Sequence, residues 1–152
     1  SETVLKEYIE MIRDDYDYIL VDCSPNLGQL TLNALVAADE IIIPVQAAYL
    51  PLKGLEQLLK TISRVRRKMN PTLNIMGILI TMVDYRTNNA KDITEVLYEH
   101  YADKIHIFDE VIPFSVKAAE ASAEGASIYM FDKNCKVAKA YGKIVEEILS
   151  YE

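Results

Sequence analysis

The residues with the clearest chemical potential lie at the end of a short apolar run. Ile19, Leu20 and Val21 are consecutive, and the carboxylate of Asp22 follows them directly. Consecutive apolar residues are typical of a strand buried on both faces, as in a parallel sheet covered by helices. In open α/β sheets, ligands bind just outside the carboxyl ends of the strands. Asp22 is therefore a candidate to hold Mg²⁺ through water above a phosphate site, as in many nucleotide hydrolases.

Two other roles for Asp22 remain open on these residues alone. An aspartate after a strand is often only a turn former or the N-cap of the next helix. A third role is that of a phosphate acceptor, as in response-regulator receivers. No suitable acidic pair precedes Asp22 at a strand end, so the acceptor role ranks lowest of the three.

Length and composition bound the class of protein. With 152 residues, 51% hydrophobic and 26% charged, the chain is expected to form one globular domain over residues 1–152. No apolar run approaches the ~20 residues of a membrane helix, and the charged amphipathic N-terminus predicts no signal peptide. Two cysteines, Cys23 and Cys135, favour a reduced, cytoplasmic setting. The net charge of −7 opposes attraction of the whole surface to DNA or anionic lipid, but it leaves room for a local basic patch.

Hydrophobic periodicity predicts elements that alternate along the chain. Helices are predicted over residues 3–14, 27–37, 52–69, 90–102, 115–123 and 134–150, and strands over residues 16–22, 40–45, 75–83 and 105–112. Such alternation predicts βαβ units with right-handed crossovers. The expected fold class is therefore α/β, with a mostly parallel sheet and flanking helices.

The ordered series of motifs resembles one family, the ParA/Soj partition ATPases. Residues 16–28, YDYILVDCSPNLG, resemble the segment around the second acidic motif of these proteins. The similarity continues through Asn33-Ala34-Leu35, Ile43-Pro44-Val45-Gln46, Gly54-Leu55, Asn70-Pro71, residues 77–88, Val111-Ile112-Pro113 and Glu120-Ala121. The resemblance implies a three-layer fold of the P-loop NTPase type, as in MinD and ParA, and a parent protein that uses ATP and Mg²⁺.

The family begins with a glycine-rich phosphate loop, and these 152 residues contain no such motif. No run of the form G-x-x-x-x-G-K-[ST] occurs, and the five glycines are scattered. The resemblance therefore implies the C-terminal portion of a ParA-type ATPase. Because the loop supplies the main electrostatic stabilisers of phosphoryl transfer, we expect this portion alone to hold no nucleotide and to hydrolyse no ATP.

The resemblance also implies roles for individual residues. Asp22 matches the catalytic acid that orients Mg²⁺ through water, and Cys23, Ser24, Pro25 and Gly28 match the switch segment that senses the γ-phosphate. Met82, Pro113 and Phe114 match later strand ends that build the adenine pocket. Arg86 and Lys117 match basic positions implicated in nonspecific DNA binding by the ATP-bound dimer. The implied partners are nonspecific DNA and a ParB-like centromere-binding protein, and the implied location is the cytoplasm, in association with the nucleoid.

Helix 52–69 carries a row of basic residues at helical spacing, Lys60, Arg64, Arg67 and Lys68. The row is either a solvated face or a stripe that contacts phosphates without reading sequence. The last predicted helix ends in acidic residues, which favours core packing over membrane binding, so we expect no membrane partner. Two alternative functions remain open: a fragment of a MinD-like membrane-cycling ATPase, and a non-catalytic α/β interaction module.

The missing loop also affects the predicted sheet. In the family, the phosphate-loop strand lies between the strands that match residues 16–22 and 40–45. Without it, both strands have backbone groups that lack partners, which is costly when they are buried and recruits other strands when they are exposed. The two strands pair with each other directly, or another chain completes the sheet. We expect the second outcome, with a homodimer as its simplest form.

Overall fold

This computed structural model describes residues 1–49 and 52–152 as helices that alternate with a small parallel sheet. In chain order the elements are α1 (Val4–Ile12), a short 3₁₀ turn (Arg13–Asp15), α2 (Gln29–Ala37), β1 (Glu40–Gln46), α3 (Leu52–Lys68), β2 (Asn74–Thr81), α4 (Asn89–Tyr101), α5 (Val116–Ala123), α6 (Ile128–Asp132) and α7 (Lys136–Ser150). Strands β1 and β2 are hydrogen-bonded neighbours. Their pairing is parallel, because Asn74 N donates to Asp39 O and Ala47 N donates to Thr81 O. The predicted α/β class is confirmed.

The described residues group into two compact units. The first contains Ser1–Ile41 and residues 52–76, and the second contains residues 42–49 and Gly77–Glu152. Both strands begin in the first unit and end in the second. The prediction of one domain over residues 1–152 stays a prediction.

The first unit is organised around the end of α2. The side-chain amide of Asn70, which is buried, donates to Leu35 O at 3.0 Å and to Ala38 O at 2.8 Å. The last carbonyls of a helix have no partner within the helix, so Asn70 supplies two of the missing donors. Helix α3 packs against α2 with Leu55, Ile62 and Val65 buried at helical spacing.

The second unit has its core around the end of β2. Ile78, Ile80, Leu97 and Phe108 are almost completely buried. A methyl group added at Gly77 would lie 2.9 Å from the Phe108 ring, so β2 and the segment that runs beside it are closely packed there. Within the described residues, no helix is long and apolar enough to span a membrane.

The C-terminal helix α7 is tied to its unit by three polar side chains. His106 Nε2 lies 2.8 Å from both Glu147 Oε1 and the Tyr151 hydroxyl, and that hydroxyl donates to Glu147 Oε1 at 2.9 Å. Desolvation and the Glu147 carboxylate raise the pKa of Tyr151 to about 12. The phenol therefore stays protonated and continues to donate across the whole neutral range.

The predicted strand over residues 16–22 is wrong. These residues form no strand, and the described sheet contains only β1 and β2. Tyr16 and Val21 are exposed, and Leu20 is 92% exposed. The apolar run has the composition of a buried strand, but a strand also requires a neighbour to exchange hydrogen bonds with. Direct pairing with the strand at 40–46 does not occur either.

The predicted strand over residues 105–112 is also wrong as a continuous element. Two isolated parallel bridges replace it, between Ile78 and Ile107 and between Val83 and Pro113. A bend at residues 109–110 separates the bridges.

Strand β1 differs in a smaller way from the buried strand expected at 40–45. It continues through Pro44 to Gln46 and buries one face only, at Ile43 and Val45.

Removing the buried amide of Asn70 should destabilise the first unit. The substitution Asn70→Ala leaves Leu35 O and Ala38 O without these donors, and we expect the free energy of unfolding to fall by about 1–3 kcal/mol. Asn74→Ala is the matched control, because the Asn74 side chain bonds only to exposed Glu40. This substitution should lower the free energy of unfolding by less than about 0.5 kcal/mol. Urea unfolding measures both changes, and equal midpoints for the two variants would contradict the assignment.

The exposed apolar run should cause self-association, and the homodimer remains the simplest expected form. Leu20→Ser should shift the chain toward monomer in light scattering, because it removes a large exposed apolar side chain from an unpaired segment. Leu30→Ser is the control, since Leu30 is similarly exposed (84%) but lies on α2. A wild-type chain that stays monomeric at high concentration would refute the expectation.

Candidate functional site

Asp22 and the segment after it lie in the first unit, on an irregular stretch before α2. Asp22, Cys23, Ser24 and Pro25 are exposed, and Gly28 is half-buried. Gly28 is the N-cap of α2, and its carbonyl accepts the first helical bond from Leu32 N at 3.0 Å. The segment therefore leads directly into a helix N-terminus.

The turn between Ser24 and Gly28 is held by one buried side chain. The Thr31 hydroxyl contacts Asn26 O at hydrogen-bond distance and lies 3.4 Å from Ser24 O. Asn26 N donates to Ser24 Oγ at 3.4 Å. These bonds fix residues 24–26 against the first turn of α2, so a change in this segment would be transmitted to the helix.

Cys23 has the features of an unreactive thiol. Partial desolvation of this otherwise exposed residue, followed by the nearby Asp22 carboxylate, raises the pKa of the Cys23 thiol. A raised pKa leaves less of the nucleophilic thiolate at neutral pH. Its Sγ lies 3.7 Å from Val21 O. A role as nucleophile is therefore disfavoured, and Cys23 remains a predicted member of the switch segment.

Met82, Pro113 and Phe114 come together in the second unit. The bridge between Val83 and Pro113 aligns the two segments, and Phe114 N donates to Val83 O at 2.8 Å. Met82 has a φ of 56°, an uncommon conformation for a residue with a side chain. Met82 is 44% exposed and Phe114 is 50% exposed. The arrangement offers an apolar surface at the carboxyl end of β2, of the kind on which a flat ring can stack.

Arg86 is held by an acid two residues before it. Asp84 accepts from Arg86 Nε at 2.9 Å, from Nη2 at 2.8 Å and from the Arg86 backbone N at 3.0 Å. These bonds lower the pKa of Asp84 to about 2 and raise the pKa of Arg86. The guanidinium is therefore already paired, although its side chain is 83% exposed.

Lys117 is likewise paired with an acid. Its ammonium forms an ion pair with Asp132, which raises the pKa of Lys117 and lowers that of Asp132. Asp132 also accepts from Asn134 N at 3.1 Å. Neither acidic partner is among the residues predicted from the sequence. The Asp84-x-Arg86 spacing carried a local signal, whereas Asp132 is 15 residues from Lys117 and carried none.

The donor set at Asp22 fits Mg²⁺ only in part. No group of three or more His, Cys, Asp and Glu side chains that could hold a metal occurs in the part of the chain that is described. Mg²⁺ is usually bound by one or two carboxylates together with waters and substrate phosphates rather than by an all-protein cage. A single exposed carboxylate is therefore compatible with the metal role, which remains a prediction, as do the roles of the other site residues.

The chain is similar to chromosome-partitioning proteins over almost its whole length. The family model AAA_31, described as an AAA domain, matches residues 1–75. The chain is 42% identical over 98% of its length to the chromosome-partitioning ATPase Soj of Treponema pallidum, and 39% identical over 97% to the chromosome partitioning protein ParA of Caulobacter vibrioides.

Solved structures show the same fold. The cobyrinic acid a,c-diamide synthase of Mycobacterium smegmatis, with bound ADP and magnesium, matches 97% of this chain and 52% of its own at 31% identity, with a TM-score of 0.81. The cell division ATPase MinD of Pyrococcus furiosus matches 100% of this chain and 60% of its own at 23% identity, with a TM-score of 0.73. The second likeness shows the fold alone.

The matched segments make up only part of the relatives. The chain spans 58% of the Treponema pallidum protein and 55% of the Caulobacter vibrioides protein. The partition proteins are similar at about 40% identity, whereas the MinD structure is 23% identical. The chain is therefore a homologue of the ParA/Soj-type partition ATPases, and it corresponds to somewhat more than half of their length.

Proposed function

We propose that this chain is part of a ParA/Soj-type ATPase that acts in the partitioning of chromosomes or plasmids. The observation that carries the proposal is the 42% identity with a chromosome-partitioning ATPase over 98% of this chain. A MinD-like, membrane-cycling function is less well supported, because the MinD likeness lies at 23% identity. A non-catalytic interaction module is the outcome that would remain if the tests below fail.

In the proposed parent protein, ATP with Mg²⁺ would supply the transferable phosphoryl group and the metal that neutralises its charge. Asp22 would orient the metal through water. Residues 23–28 would respond to the presence of the γ-phosphate, and the Thr31 contacts would pass that response to α2. Met82, Pro113 and Phe114 would form the apolar surface for the adenine ring, which stacks on a flat or flexible apolar side chain.

The proposed partners are nonspecific DNA and a ParB-like centromere-binding protein, in the cytoplasm and in association with the nucleoid. DNA contacts by Arg86 and Lys117 would have to compete with Asp84 and Asp132, which already hold these two cations. An exchange of a carboxylate for a phosphate partner is electrostatically feasible at the surface, because exposed ion pairs contribute little net stability. Such contacts would be independent of sequence and sensitive to salt.

Asp22 is tested in the full-length parent protein. Asp22→Ala should lower ATP turnover by about a hundredfold or more, the usual cost of removing one electrostatic stabiliser of a transition state. Asp17→Ala is the control, since Asp17 is an exposed acid in the same segment and should leave turnover unchanged. The 152-residue chain alone should show no turnover above background. Mg²⁺-dependent turnover by this chain that Asp22→Ala abolishes would contradict the proposal.

Arg86 and Lys117 are tested by binding of a nonspecific duplex to the ATP-bound parent. Either Arg86→Ala or Lys117→Ala should weaken binding several-fold and reduce the salt slope by about one, with ATP affinity unchanged. Asp84→Asn should have the opposite effect on DNA binding, because it weakens the hold on Arg86. Lys104→Ala, at an exposed lysine outside both ion pairs, is the control for the loss of one charge. Unchanged duplex binding by both alanine variants at low salt would exclude the assignment.

A further inference from the structure

Helix α3 differs in charge from the rest of the chain. Its 17 residues hold six of the 16 Lys and Arg residues and one of the 23 Asp and Glu residues. Its formal charge is therefore +5 in a chain whose total is −7, which leaves −12 for all other residues. A helix with this net charge on an acidic protein attracts an anionic partner and repels a cationic one.

Only some of these cations have partners in the described part of the chain. Arg66 Nε donates to Leu73 O at 2.6 Å, so Arg66 fixes the turn after the helix. Lys60 forms an ion pair with Glu56 at 2.9 Å. Arg64 and Arg67 are exposed, and within residues 1–49 and 52–152 neither forms an ion pair with an acid.

Arg64 lies where two surface depressions meet. The first, of about 420 Å³, runs along α3 and is lined by Glu56, Leu59, Lys60, Ser63, Arg64 and Arg67. Since Glu56 is paired with Lys60, two cations face this depression without an acid. The second, of about 280 Å³, lies between α3 and the segment that opens α2. Most of its surface is apolar, from Leu27, Leu32, Leu35, Val65 and Met69, and the polar residues Gln29, Thr31, Thr61 and Arg64 line the rest.

We propose that the surface around Arg64 binds an acidic peptide segment of a partner protein that carries an apolar anchor side chain. The anchor fills the depression between α2 and α3, and the carboxylates of the segment face Arg64, Arg67 and Lys60. Arg64 serves both parts, because its guanidinium matches a carboxylate in a bidentate geometry while its methylene stem borders the apolar lining. The residues that dominate the binding energy of an interface lie in well-packed, desolvated pockets, and arginine is enriched among them.

The apolar depression favours a peptide over a nucleic acid backbone. The phosphates and sugars of a duplex would use the cations of α3, but its bases are stacked inside the double helix and cannot fill a depression that contains leucine, valine and methionine. A peptide uses both features at once. This surface lies wholly in the first unit, and the proposal is independent of the role of Arg86 and Lys117 in DNA binding.

The proposal is tested on the 152-residue chain with two fluorescent peptides and a duplex. The first peptide is rich in glutamate and carries two leucines one helical turn apart, and in the second peptide serine replaces both leucines. The first peptide should bind saturably, and the serine peptide should bind about tenfold more weakly. Arg64→Gln should weaken binding of the leucine peptide by about tenfold, since it removes a charged hydrogen-bond partner. Lys53→Gln removes one charge from the same helix at a residue that lines neither depression, and it should change affinity by less than about twofold.

Several results would overturn the proposal. One is the absence of saturable binding of the leucine peptide. Others are equal affinity for the two peptides, which would indicate a general cationic surface, and equal effects of Arg64→Gln and Lys53→Gln. A duplex that binds with dependence on Arg64 while the leucine peptide does not bind would assign the surface to nucleic acid instead. Circular dichroism of the two glutamine variants, expected to match wild type, shows that the loss is not one of fold.

Discussion

The structure depends on the requirement that a strand have a neighbour. Two bonds bracket the parallel pairing of β1 and β2, from Asn74 N to Asp39 O at 3.0 Å and from Ala47 N to Thr81 O at 2.9 Å. Residues 16–22 have equally apolar composition, yet they form no strand. Composition makes a segment capable of being a buried strand, but the exchange of backbone hydrogen bonds with a neighbour decides whether it becomes one.

The same pairing determines where the candidate site residues lie. Met82 follows the last residue of β2, and the bridge between Val83 and Pro113 brings Phe114 beside it. Met82 has a left-handed φ of 56° between the end of β2 and the bridged residue Val83. Asp22 follows a segment that lacks such pairing, and it is exposed on an irregular stretch. How exactly a side chain at a strand end is positioned therefore depends on whether the strand before it is formed and paired.

The sequence predicts elements that depend on residues near one another in the chain, and it fails for those that depend on partners distant in sequence. Helix α3 was expected at 52–69 and is found at 52–68, because amphipathic periodicity is a local signal. The interrupted stretch at 105–112 and the unformed strand at 16–22 depended on pairing partners distant in sequence. The short helix α6 was missed because five residues carry too little periodicity, and only the Ser127 cap, which accepts from Met130 N, marks its start. The pairing of Lys117 with Asp132 could not be predicted either, because the two residues are distant in sequence.

The basic residues show that a charged side chain predicted to bind a ligand can already be paired within the protein. Arg86 and Lys117 were singled out as cations available to phosphate, but each is held by a nearby acid. The bidentate contact with Asp84 is strong enough to hold the pKa of that acid at about 2, so protonation does not release Arg86 at any physiological pH. A competing anion can displace Asp84, because an exposed ion pair contributes little net stability. Arg64 forms no ion pair with an acid in the described chain, so an anionic partner can reach it without displacing a carboxylate.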